Sequence, residues 1–438
     1  MSKTFRPWDV DQVWLLPPSI QDLVPGGHVA HFVRDTVRTG LDLSAIMDTY
    51  TEERGYPPYH PGMMVALLLY AYSQGVYSSR RIARACEERL DFAAVTGLQH
   101  PDFRTISDFR KRHLKALAGL FQQVLKLCRG AGLVKLGHVA LDGTKIKANA
   151  GLNKAMSYGR MKQVEPKLAA EVESWLAQAD KTDKAEDRQH GRDRRGEEMP
   201  EWLANKEKRL AKIREAKVAL ESEAKAKAPA PQKDDDEGDT PGRKAKPASI
   251  EPADKAQRNF TDPDSRVMPT RSGFIQGYNA QAAVDGDHQI IVAHTLTNSP
   301  SDQGQLSPLL DGIKANLGIN PEEVSADAGY CSQANLLTLS RRRIEAYVAT
   351  GRQKHGTKAA VTKRSANKPL IVQMSTKLKR GGYRSRYRLR KQIVEPVFGQ
   401  IKQARGFRQF LLRGIEQVQS EWAMLCIAHN LCKLAGAR

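Results

Sequence analysis

Apolar positions along the chain fall into two regimes. Up to about residue 130 they recur every three or four residues. "GHVAHFVRDTV", "PGMMVALLLYAYSQG", "SSRRIARACEERL" and "SDFRKRHLKALAGLFQQVLKLC" each predict a helix, with Ser79 and Ser107 as N-caps and glycines closing several segments. Short helices joined by tight turns, with Arg80, Arg81 and Arg84 exposed on one of them, match a helix-turn-helix DNA-binding unit or a plain helical packing domain. At "LGHVALDGTKIKANA" the period shortens to that of a strand, a brief run from His138 that ends on Asp142 with Gly143 as the turn residue.

Two long helical patterns follow. One carries Val164, Leu168, Val172, Trp175 and Ala179, the other Leu203, Leu210, Ile213 and Leu220, with the loop "DRQHGRDRRGEEMP" between them, so a charged helical hairpin is expected. "AKAKAPAPQKDDDEGDTPGRKAKPAS" has almost no large apolar side chain and predicts a flexible linker. Alternation then resumes in "GFIQGYNAQAAVD" and "IIVAHTLTN", a hairpin turning at "GDHQ". A capped helix ("SDQGQLSPLLDGIKANLG"), a short strand ending on Asp327, a second capped helix ("SQANLLTLSRRR") and the strand "IEAYVA" come next. A basic loop, the segment "RKQIVEPVFGQIKQ" and a closing helix ("EWAMLCIAHNLCKLA") complete the pattern. This order predicts a mixed α/β sheet of ribonuclease-H-like type. The expected organisation is a helical N-terminal domain (1–132), a first part of the core (133–150), a charged helical insertion with linker (151–262), and the rest of the core with C-terminal helices (263–438).

Composition narrows the function. The 438 residues are 40% hydrophobic and 27% charged, as in a soluble protein, but the formal net charge is +20. Such an excess points to a polyanionic partner, most commonly nucleic acid, against the alternative of a merely basic protein. The N-terminal residues lack the apolar core of a signal peptide, and "MMVALLLYAY" is too short to span a bilayer, so it reads as a buried helix and no membrane partner is expected. The five cysteines are scattered without a CxxC pair, which fits neither a disulfide framework nor a zinc site and suits a reducing cytoplasm.

Glu395 is the only acidic side chain between Gly351 and Gly414, a stretch dense in Lys and Arg. A carboxylate inside a cationic groove is tolerated where a dication neutralises it; the competing reading is a plain ion pair with Lys391 or Lys402. Asp142, Asp327 and Glu395 each fall at an element end or in the last basic segment. Three such acids brought together suit a pair of Mg²⁺ ions, which need hard oxygen ligands and clamp the attacking and leaving oxygens of a phosphodiester. Arg388, Lys391, Glu395 and Lys402 share one helical face, and Leu389, Ile393, Val397 and Ile401 keep the helical period through Pro396, so a kinked helix is expected. Among rival acids, Asp262, Asp264, Asp285 and Asp287 read as turn residues and Asp302 as a helix cap. His294 reads as a core histidine. No GxxxxGK[ST] nucleotide loop is present.

Taken in order, "ALDGTKIKANA", "NFTDPDSRVM", "GYNAQAAVD", "SADAGYCS", "IVEPVFGQIKQARGFRQF" and "EWAMLCIAHNLCKL" resemble bacterial insertion-sequence transposases of the DDE superfamily, and the helical region before them resembles the N-terminal domain of the same enzymes. The resemblance implies that Asp142, Asp327 and Glu395 are a metal-binding catalytic triad, with Mn²⁺ able to replace Mg²⁺. It implies cleavage of the element's ends by water and joining of the freed 3′-hydroxyl to target DNA. It further implies terminal inverted repeats as substrate, assembly of at least a homodimer on DNA, and a nucleoid-associated location. Related enzymes carry a Tyr-x2-Arg-x3-Glu-x6-Lys signature. Here Lys402 fits its last position, while Lys391 stands in the arginine position and Arg388 in the tyrosine position. Lys391 and Lys402 would position phosphate oxygens, and Arg384, Arg386, Arg388, Arg405 and Arg408 would hold the DNA backbone. Two other readings share the basic surface: a regulatory DNA-binding relative without chemistry, and a ribonuclease-H-like nuclease that makes no strand-transfer product.

Overall fold

The structure is a computed structural model that describes residues 19, 22, 24–51, 58–190, 201–227, 251–351 and 369–437. Seven helices come first: α1 (Val29–Gly40), α2 (Ser44–Met47), α3 (Pro61–Ser73), α4 (Ser79–Glu88), α5 (Leu90–Thr96), α6 (Phe103–Arg112) and α7 (Leu114–Gly130). Helix α3 is apolar on every side and nearly all of its residues are buried, which places it at the centre of the group. Two caps differ from expectation. Ser78, not Ser79, caps α4 by accepting from Arg81 N. Ser107 lies inside α6, whose N-cap is Asp102, accepting from Arg104 N and Thr105 N; the pattern that reads as one helix breaks at His113 into α6 and α7.

The first strand is longer than its hydrophobic run suggests. β1 spans His138–Lys147, so Asp142 sits in mid-strand and Gly143 is a ladder residue, not a turn. Its polar second half is stable as strand because it pairs residue by residue with β5. After β2 (Ala155–Ser157) come α8 (Tyr158–His190) and α9 (Glu201–Lys227), followed by β3 (Gln257–Asn259), which pairs with β2. The two long helices pack through their own cluster, including Leu168, Leu210, Ile213 and Leu220, and Glu165 bridges to Arg214 and Lys217 across the pair. The expected hairpin is present, while residues 191–200 of its loop and residues 228–250 of the expected linker lie outside the described residues.

The remaining elements are β4 (Arg266–Thr270), β5 (Gly273–Asp285), β6 (Ile291–Thr297), α10 (Leu306–Leu317), β7 (Glu323–Ala326), α11 (Gln333–Arg341), β8 (Glu345–Val348), α12 (Pro369–Gly381), α13 (Leu389–Gly399) and α14 (Ile415–Ala435). Helix α12 falls where the sequence predicts only a basic loop; residues 352–368 of that stretch lie outside the described residues. In the main sheet β1 is central. On one side it pairs antiparallel with β5, which in turn pairs with β6 and, at its start, with β4; on the other it pairs parallel with β7, and β7 with β8. A central first strand flanked by an antiparallel hairpin and a parallel pair is the ribonuclease-H-like arrangement. Helix α14, buried along most of its length, packs on α3 and α7 and on β6 at once. One continuous apolar core therefore runs from the N-terminal helices into the sheet. Among the described residues no helix is long and apolar enough to cross a membrane.

Candidate active site

Parallel pairing sets the first two acids side by side. Leu141 of β1 stands opposite Ala326 of β7, so the next residues, Asp142 within β1 and Asp327 just past the end of β7, come side by side at the same level. Asp327 begins a short 3₁₀ turn and accepts from Gly329 N at 2.8 Å, which fixes its carboxylate. Asp142 accepts from its neighbour Gly143 N at 2.9 Å. Burial comes first in raising both carboxyls above their ordinary range, Asp142 to about 6, and the negative charge of Asp327 adds to the effect at Asp142.

The third acid arrives on α13. Pro396 removes an amide that would bond the carbonyl of Gln392, and that carbonyl instead accepts from the Gln289 side chain at 2.9 Å. The helix thus continues through Pro396, and a π turn over Gln400–Ala404 follows at its end. Glu395 meets Asp142 through Arg390, which is not among the expected site residues. Arg390 Nη1 lies 2.7 Å from Asp142 Oδ2, and Nη2 lies 3.4 Å from Glu395 Oε1. The signal for it is present in the sequence: Tyr387 and Arg390 keep the family's Tyr-x2-Arg spacing, set one residue further from the glutamate than usual.

Lys402, in the π turn that follows α13, reaches the strand that carries Asp142, donating to Thr144 Oγ1 at 3.0 Å and to Lys145 O at 3.4 Å; burial, reinforced by Arg408, lowers its pKa. Behind it the chain returns to β1, where Phe410 N donates to Lys147 O at 2.9 Å, so the basic segment is stitched to the strand that carries Asp142. The other predicted cations scatter. Arg386 pairs with Glu323 at 2.5 Å, Arg408 bonds the Gln403 side chain and the Lys402 carbonyl, and Arg405 is turned toward Cys432 and His429. Arg384, Arg388 and Lys391 are exposed.

Asp302, expected to cap a helix, makes no capping bond. Its Oδ1 accepts from Asn279 Nδ2 and Gln281 Nε2, both at 2.7 Å, and Gln281 Oε1 accepts from the buried Tyr330 hydroxyl. Gly143 is required here. A Cβ on it would fall on the Gln281 amide and 2.7 Å from Asp302 Oδ1, and one on Gly329 would lie 2.9 Å from Asp302 Oδ2 and 3.0 Å from Asp327 Oδ1. The other rivals are structural. Asp262 accepts from the Tyr278 hydroxyl and Gly414 N, Asp264 from Ile415 N, and Asp285 from Lys135 N and Leu136 N. His294 is half-buried edge-on to Phe121 with its Nδ1 shielded from solvent, and burial lowers its pKa to about 4.

The ligands around Asp142 are hard carboxylate oxygens, and the cation between two of them is the Arg390 guanidinium. In kind, the residues fit Mg²⁺ or Mn²⁺. As they stand, no three His, Cys, Asp or Glu side chains among the described residues are grouped to hold one ion.

A ribonuclease-H-like sheet with acids from two adjacent strands and a late helix, set in basic surroundings, defines an enzyme class that works on nucleic-acid phosphodiesters. Comparison with protein families agrees: the Transposase domain (DUF772) matches residues 18–112 and the Transposase DDE domain matches residues 255–431. Together they span well over half of the chain, which belongs to the insertion-sequence DDE transposases. Asp327 and Glu395 fall inside the matched ranges and Asp142 between them. No curated protein and no solved structure matched the chain.

Proposed function

We propose that this transposase cleaves the ends of its own insertion sequence and joins each freed 3′-hydroxyl to target DNA, with Asp142, Asp327 and Glu395 as the acids that hold a pair of Mg²⁺ ions. What carries the reading is the meeting of Asp142 and Glu395 on one guanidinium, beside an Asp327 whose charge acts on both Asp142 and Arg390. Bound dications supply the positive charge that stabilises pentavalent phosphorus and make a coordinated oxygen a better nucleophile.

The residues of the chain do the rest. Strand β1 fixes Asp142 in the ladder with β5, opposite Ala282 and one residue past the pairing with β7, so its carboxylate is positioned before substrate arrives. Lys402, half-buried in the π turn after α13 and bonded to Thr144 two residues along β1 from Asp142, offers an ammonium to the scissile phosphate. Exposed Arg384, Arg388 and Lys391 hold the neighbouring backbone charges without reading sequence. Exposed Arg80, Arg81 and Arg84 on α4 give the N-terminal helices a second basic face for the terminal repeats. In the first step a water oxygen forms a bond to phosphorus, the bond to the 3′ oxygen breaks, and that oxygen leaves as the 3′-hydroxyl. In the second the 3′ oxygen attacks a target phosphorus and displaces the target's own 3′ oxygen.

The test uses labelled duplex carrying the inverted repeats that flank the coding sequence. The native enzyme cleaves it with Mg²⁺ or Mn²⁺ and not with EDTA, and D142N, D327N and E395Q each lower the rate about 1,000-fold or more, about 4 kcal/mol of barrier, with duplex binding retained. Cleavage in EDTA, or near-native cleavage by any of the three variants, overturns the proposal.

A further inference from the structure

We infer that Arg390 is a built-in counter-ion of the acid site, competing with divalent cations for Asp142 and Glu395 until a DNA phosphate draws it away. The inference rests on the proposed role of the three acids and adds a control over when they load.

The geometry is that of a substitute cation. The guanidinium spans the two carboxylates, close to Asp142 at 2.7 Å and loosely to Glu395 at 3.4 Å. Only 13% of its side chain is exposed, against 49% for Glu395. Its Nε is buried without a hydrogen-bond partner, so the side chain gives up one donor to reach this position. One guanidinium also cannot balance what surrounds it. Burial works against Arg390's charge, yet Asp142 and Asp327 are near enough to help hold its pKa above the ordinary value, and Asp302 adds its charge at Asp327. A dication on the carboxylates neutralises more of this charge than Arg390 does, and the two cannot hold the same Asp142 oxygen together.

Chemistry also says where the arginine goes. It stays charged at every working pH and has a fork of donors that suits phosphate oxygens bidentately. It opens α13 directly after a 3₁₀ turn, Arg386–Arg388, and after Gly382, whose φ is +44°, so the segment bearing it has local hinges and exposed Arg384 and Arg388 as neighbours. DNA laid along those arginines offers Arg390 a new anion just as it brings the scissile phosphate to the acids. Phosphate and dication then favour one and the same arrangement, with Arg390 off Asp142. By linkage, each tightens the binding of the other. Before DNA is bound, the arginine disfavours a loaded and reactive centre.

The experiment measures Mn²⁺ binding to the full-length protein by electron paramagnetic resonance and calorimetry. It is done with and without a short duplex of unrelated sequence, after subtracting Mn²⁺ held by the duplex alone. In the native protein the duplex is expected to tighten Mn²⁺ binding about tenfold. R390Q is expected to bind Mn²⁺ about tenfold more tightly than the native protein without DNA and to respond little to the duplex. In EDTA it melts lower than the native protein because the acids face one another uncompensated, and Mn²⁺ raises its melting temperature by more. R390Q that binds Mn²⁺ no better than the native protein, or that is destabilised without rescue by Mn²⁺, overturns the inference and leaves Arg390 a structural ion pair. Should R390Q fail to fold, R390M, which also removes the charge while keeping an extended side chain, decides by the same criterion. D142N in both backgrounds separates the two ideas. If it leaves Mn²⁺ binding unchanged, the assignment of the acids fails; if binding depends on Asp142 but not on Arg390, only the counter-ion role fails.

Discussion

Gly143 shows how much one missing side chain can decide. Its sequence context, directly after an acid, suggests a turn, yet it lies in a ladder opposite Gln281 and leaves the space that the Gln281 amide and Asp302 carboxylate use. Gly143→Ala is expected to keep the fold but push Gln281 off Asp302, with a stability loss of about 1–3 kcal/mol in urea unfolding and slower cleavage at unchanged duplex affinity. Unaltered stability and rate would show that the amide moves aside freely. The types of Asp142, Asp327 and Glu395 are legible in the sequence because an acid among cations, or at a strand end, contradicts its surroundings. Arg390 shows only through its spacing from Tyr387, and Asp302 not at all. An arginine within a basic run carries no such contrast, and the partners of Asp302 come from alternate positions of β5 that only strand pairing brings to it.

Elements are legible where the period is carried by apolar side chains and obscure where pairing or capping sets their limits. The hairpin of β5 and β6, the amphipathic α10 and the closing α14 follow directly from their patterns. The second half of β1, "GTKIK", is held as strand by its neighbours, and the caps of α4 and α6 depend on side chains a residue or more from the positions the pattern favours. Glu421 is a further case: it reads as one polar position on an apolar helix, but it is fully buried in α14 and accepts from Leu411 N at 3.0 Å and Leu412 N at 3.1 Å. Those amides belong to the turn leading from the basic segment to the last helix. Glu421→Ala leaves two buried amides without acceptors and is expected to cost about 2–5 kcal/mol in chemical unfolding. A change below about 0.5 kcal/mol would mean that water replaces the carboxylate.

At the scale of the molecule, the N-terminal helices and the sheet are not independent bodies. Helix α14 touches α3, α7 and β6, and Trp422 Nε1 donates to Gln281 O at 3.1 Å, so the last helix is wedged between the first ones and the strand beside Asp142. A fragment lacking residues 1–130 is expected to fail to fold, since it would expose the apolar flank of α14. Size-exclusion chromatography and near-ultraviolet circular dichroism check this, and a monodisperse fragment with native aromatic signals would show two separable cores. The α8–α9 pair contrasts with this, having a cluster of its own. The same wedge bears on synthesis. Ribosomes deliver residues in order, and here Glu395 and the helix that completes both halves of the core emerge long after Asp142. A nascent or prematurely stopped chain therefore carries Asp142 without the elements that set Arg390 and Glu395 beside it.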